Sequence, residues 1–125
     1  MDTAEVTALV QERGGFASAD ETRTAISEVL NVLGSRDLGG EAKDLAAQLP
    51  DGVSELLLGE GEPGEHFGAE EFIDRIQKNL NVSTEQAEHT ARAVLSTVTD
   101  AVSEGERANF VNALPNDLSG YTRWT

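Results

Sequence analysis

The chain contains no cysteine, which excludes disulfides, thiolate metal sites and cysteine nucleophiles. Only two of its nine basic residues are lysines, Lys43 and Lys78, and no basic block offsets a formal charge of −14. Neutralising phosphates requires clustered Lys and Arg, so this balance argues against nucleic acid and against an anionic membrane surface as partners. Long apolar runs are missing as well. The longest row of large apolar residues is Leu56-Leu57-Leu58, far short of the roughly 20 that span a bilayer. Met1 to Glu5 show no basic segment leading into an apolar one, so the expected location is cytoplasmic.

What is abundant is acid. The 23 Asp and Glu residues are spread through the whole chain, as a solvated shell around a folded core would have them. Many carboxylates with few lysines fit a protein kept soluble at high salt, where self-repulsion is screened; an ordinary acidic bacterial protein is the alternative. At 125 residues the chain suffices for one domain that buries roughly two thirds of its unfolded surface.

The chain is also written twice. Val29-Leu30, Gly40-Glu41, Leu49-Pro50 and Ser54 recur 65 positions later as Val94-Leu95, Gly105-Glu106, Leu114-Pro115 and Ser119. Such a period marks a supersecondary unit that buries its apolar faces against its copy. The units run over about 4–58 and 69–122, joined by an acidic, Gly-rich connector over 59–68.

Helical periodicity accounts for each unit. Val6, Leu9 and Val10 share one face, as do Phe72, Ile73, Ile76 and Leu80. Ser18 with Glu21, and Ser83 with Gln86, have capping-box spacing and launch two long helices with the stripes Ile26, Val29, Leu30, Leu33 and Ala91, Val94, Leu95, Val98. Phe16 and Val82 precede these caps as candidate staples. Ser103 with Glu106 opens a third helix in the second unit; in the first, Leu38 takes the cap position, Gly39-Gly40 the turn and Glu41 the acidic place. Pro50 and Pro115 end these helices. A short helix follows each proline, bearing Val53, Leu56 and Leu57 or Leu118 and Tyr121. The fold expected is all-α, an eight-helix bundle of two tandem four-helix repeats related by pseudo-two-fold symmetry.

Candidate chemistry is thin. His66 lies beside Glu62 and Glu65 in the connector, a weak cation site at most, since one imidazole on a loop fixes no geometry. His89 reads as a partly exposed helical residue. Neither a P-loop, a dinucleotide fingerprint, a zinc motif nor an EF-hand loop is present, and no cofactor is expected. Glu70 with Glu71 and Glu104 with Glu106 sit at helix starts, where N–H groups favour ionised carboxylates and push pKa values down, so an acid–base role is not expected. The shared Glu41 and Glu106 are explained the same way. Tyr121 and Trp124 either dock the C-terminus on the last helices or form an aromatic interaction surface.

With these elements placed, the chain resembles the DUF2267 family of small prokaryotic proteins. The carriers are Ala25 through Leu33 into Arg36, Gly40-Glu41-Ala42, Leu45-Ala46-Ala47-Gln48-Leu49-Pro50, Phe72, Ala91 to Leu95, Gly105-Glu106, Leu114-Pro115 and Trp124. The resemblance implies an all-helical fold and no established activity. Members of this kind commonly carry an aromatic-rich stretch, often with Gly-Trp, after the first Leu-Pro block. Here Leu57-Leu58-Gly59-Glu60 holds no tryptophan, which weakens any aromatic interaction at that place.

The leading expectation is a non-enzymatic interaction or regulatory module, of a stress-related kind, with an unidentified protein partner; homodimerisation through one long-helix face is left open. The alternative is a small-ligand or cation-binding protein that uses the cleft between copies and the acidic connector.

Overall fold

A computed structural model describes residues 1–35, 41–58 and 65–124 of the chain. The first half holds α1 (Thr3–Gly14), α2 (Ala19–Gly34), α3 (Glu41–Gln48) and α4 (Asp51–Leu58). The second holds α5 (Ala69–Leu80), α6 (Thr84–Asp100), α7 (Glu104–Ala113) and α8 (Asn116–Ser119), which runs on into a 3-10 turn over Gly120–Thr122. The fold is all-α with eight helices among the described residues. The Leu38 cap, the Gly39-Gly40 turn, Arg36 and the part of the connector that includes Glu62 lie outside them.

Local chemistry explains where the helices start. Asp2 and Glu5 close a reciprocal capping box on α1, Glu5 N donating to Asp2 Oδ1 at 2.8 Å and Asp2 N to Glu5 Oε1 at 3.2 Å. Ser83 and Gln86 close another on α6. The box expected on α2 is only half made. Ser18 accepts from Glu21 N, but the Glu21 carboxylate reaches back to Ala17 N instead of Ser18 N. The N-terminus of α5 has no side chain at its cap residue, Gly68; the carboxylate of Asp117, 48 positions on, accepts from Ala69 N at 2.9 Å in its place. The prolines act as expected, α3 ending at Gln48 and α7 at Ala113.

One hydrophobic cluster runs through both halves, with Val6 and Val10 of α1, Leu30 and Leu33 of α2, Leu45 of α3, Leu57 of α4, Phe72 and Ile76 of α5, Leu95 of α6, Phe110 of α7 and Leu118 of α8 all buried. Its centre is α6, which touches α1, α2, α5, α7 and the 3-10 turn. Every residue from Ala93 to Thr99 is buried, where the sequence suggested a single stripe. Ser and Thr tolerate this because their hydroxyls bond back into the helix, Thr97 Oγ1 donating to Ala93 O at 2.8 Å and Thr99 Oγ1 to Leu95 O at 2.7 Å. Between the halves, α1 packs on α6, α2 on α5, α2 on α6 and α3 on α7.

Candidate ligand cleft and a buried carboxyl pair

The ends of α1, α6 and α7 and the C-terminal tail enclose a cleft of about 580 Å³, lined by Arg13, Thr99, Asp100, Arg107, Ala108, Val111, Thr122, Arg123 and Trp124. Three of the seven arginines of a strongly acidic chain thus meet the only tryptophan. The last turn of α1 carries Arg13 across to α6. Its Nη1 donates to Ser96 Oγ at 2.9 Å and to Thr97 Oγ1 at 3.4 Å, and its Nη2 to Asp100 Oδ2 at 2.7 Å. The same guanidinium lies 5.6 Å from the Trp124 ring centre, within cation–π reach.

Arg107 closes the C-terminal end of α6. Its Nε donates to the carbonyls of Thr99 and Val102, both at 3.0 Å, and its Nη2 to that of Asp100, also at 3.0 Å, which satisfies carbonyls that a helix end otherwise leaves open. Arg123 is exposed at the rim and makes no ion pair among the described residues. Among the described residues Asp100 is the only carboxylate in the lining, and Arg13 neutralises it, so these residues make the cleft a positive spot within a negative surface. The cleft was not legible in the sequence because its arginines are 94 and 16 positions apart; the one signal was the terminal Trp.

The two aromatic candidates part company. Trp124 is partly buried on this cleft and leans toward the ring of His89, 5.6 Å away. Tyr121 packs on another face, in a groove with Ile73, Thr84 and Glu88. There it lies under the Arg92 guanidinium at 5.0 Å, and burial, with the nearby Glu88 charge, pushes its phenol up. Both side chains pack against the core.

Of the connector candidates, Glu65 and His66 line an open acidic cleft of about 870 Å³ with Glu70, Glu71, Asp74, Arg75 and Asp117. Glu65 is held by Arg75 through two hydrogen bonds of 2.9 and 3.1 Å, and these hold its carboxyl below the usual range. Among the described residues no three acidic or imidazole side chains converge as metal ligands. Glu62 lies outside them.

Glu41 and Glu106 depart furthest from expectation. Glu106 accepts no return bond from its own cap and does not pair with Glu104. It is buried, 6% exposed, and meets Glu41 across the contact between α3 and α7. Burial first, then the hydrogen bond and the charge of Glu106, and then Asp44, push the Glu41 carboxyl up to about 7. The downward shift expected at a helix start is therefore reversed, because desolvation and a second acid outweigh exposed N–H groups.

A family model described as "Uncharacterized conserved protein (DUF2267)" matches residues 3–121. No curated protein matches the chain.

Proposed function

The chain belongs to the DUF2267 family, and on that footing we propose that it is a non-enzymatic regulatory binding module. Its ligand is a small molecule that joins an anionic group to a planar ring, taken in the cleft between Arg13, Arg107, Arg123 and Trp124. The observation that carries this reading is the meeting of three guanidiniums with the single indole in a chain of charge −14. A guanidinium has five N–H donors, and Arg13 directs three hydrogen bonds inward, which leaves donors for a carboxylate or phosphate beside the Trp124 face. Low-dielectric walls strengthen such a contact.

The reading of a protein partner seated on an apolar patch has less support. Among the described residues the large apolar side chains left exposed are Met1 and Leu58, each 48% exposed, well short of a contiguous docking face. The pairing of α1 with α6, of α5 with α2, and of α2 with α6 and α3 with α7 fits a pseudo-two-fold relation between the repeats, which would put any shared cleft where the copies meet.

Trp124 is the only tryptophan, so its fluorescence reports on the cleft. Titration with AMP, benzoate and inorganic phosphate is expected to give saturable quenching with a probe that has both ring and anion, weakened about tenfold or more in Arg123→Ala. Responses that never saturate, or that survive unchanged in the variant, would sink the proposal.

A further inference from the structure

Glu41 opens α3 and Glu106 lies in the first turn of α7, one repeat period of 65 positions apart. Their carboxyls meet where the two helices pack. Oε1 of each is buried, and among the described residues neither finds a hydrogen-bond donor. Two ionised carboxylates cannot bond each other, because neither carries a proton to give. With one proton between them, one carboxyl donates and the other accepts.

Among the described residues the surrounding charges do not offer another remedy. On α3 itself are Lys43 and Asp44, both exposed. On α7 are Glu104, exposed, and Arg107, whose guanidinium is turned to the carbonyls that end α6. On α4, packed against α3, are Asp51 and Glu55, both exposed. On α6, Asp100 is taken by Arg13. Among the described residues the charges that act on Glu41 are those of Glu106 and Asp44, both acidic.

We propose that Glu41 and Glu106 share a single proton that latches α3 to α7, and that its loss above neutral pH loosens this contact. With both groups ionised, two like charges would face each other in a partly dry interface, where repulsion is screened far less than at the surface. The upward push on the Glu41 carboxyl, which burial and the neighbouring acid produce, agrees with a proton released close to neutrality. The device uses no residue that lines the ligand cleft, and either proposal can fail alone.

The full-length chain is the sample, with no ligand added. Side-chain carboxyl NMR between pH 4 and 9 is expected to find one Glu carboxyl that titrates near neutrality and is absent from Glu106→Gln. Amide exchange at Leu45, Ala46 and Phe110, corrected for intrinsic base catalysis, is expected to rise about tenfold between pH 6 and 8.5 in the natural chain and to stay flat in Glu41→Gln. Should Glu41→Gln not fold, Glu106→Gln supplies the same comparison. Titration of every Glu in the ordinary carboxylate range, or an equal rise in both chains, would overturn the latch. So would abolition of the rise by millimolar Mg²⁺ or Ca²⁺ at pH 8.5, which would assign the pair to a cation.

Discussion

Arg13 Nη2 lies 2.7 Å from Asp100 Oδ2, which ties the last turn of α1 to the last turn of α6 across 87 positions of sequence. The two ends of the bond are not equal. The Arg13 side chain is 15% exposed and also holds Ser96 and Thr97, whereas that of Asp100 is 43% exposed. Removing Arg13 strips the buried hydroxyl of Ser96 of a donor and removes the guanidinium that lies beside the Trp124 ring. Arg13→Ala is therefore expected to lose about 2 kcal/mol in urea unfolding, and Asp100→Asn less than about 1 kcal/mol, the range of a screened surface pair. Equal losses would show that Arg13 acts through its ion pair alone.

Helix α2 approaches α4 through Gly34. A Cβ at this position would lie 2.0 Å from the backbone oxygen of Leu57, an atom with no room to retreat. Gly34→Ala should cost about 2 to 3 kcal/mol, through a shift of α4 or a broken contact. Gly105 in α7 is the control, because a Cβ there meets nothing within 4 Å. Gly105→Ala should be neutral or gain up to about 1 kcal/mol, as replacement of a helical glycine does. Thermal melts of the two variants decide the matter, and similar shifts in both would refute the close approach.

The buried acid pair sets a pH dependence with a definite sign. Glu41 is raised from about 4.5 to about 7, so the folded chain binds more protons than the unfolded chain between these values. The stability this contributes is fully present below about pH 4.5 and is lost as pH rises through about 7. Glu106→Gln keeps the shape and a donor without the second charge. It should match the natural chain at pH 5 and exceed it at pH 8 by on the order of 1 kcal/mol, a modest figure because Glu41 is only partly buried. A variant less stable than the natural chain at both pH values would contradict this.

Most of the fold was legible because it rests on local chemistry. The stripes Ile26 to Leu33 and Ala91 to Val98, the Ser83–Gln86 box and the stops before Pro50 and Pro115 each involve residues within one or two turns of each other. The features that were not legible depend on distant residues. Asp117 caps α5 from 48 positions away, and Ser96, Thr97 and Thr99, which lie outside the single stripe read on α6, are buried because α1, α2, α5 and α7 pack around that helix. Glu41 and Glu106 were visible as a repeated Gly-Glu and read as helix-start carboxylates, without the burial that reverses the expectation for Glu41. That each faces its own copy follows from how the halves meet, which no single helix encodes.

The acidic surface carries the last expectation. With a formal charge of −14 on 13.3 kDa, repulsion among carboxylates opposes the compact state, and mobile ions relieve it. The Debye length falls from roughly 30 Å at 0.01 M to roughly 10 Å at 0.1 M salt, so screening should act mainly in this range, while a general salting-out effect continues to grow into molar concentrations. The melting temperature is therefore expected to climb by several degrees in dilute KCl and then more slowly; a shift of about 1 kcal/mol is about 4 °C for a chain of this size. Charge identifies the cause. Glu12, Glu55 and Glu88 are exposed, and changing all three to Gln lowers the formal charge from −14 to −11. This variant should melt higher than the natural chain at 0.01 M KCl and gain less from added salt, so that the two curves converge near molar KCl. Parallel curves would assign the salt effect to exclusion from the surface, and a flat curve in the natural chain would remove the high-salt reading of its composition.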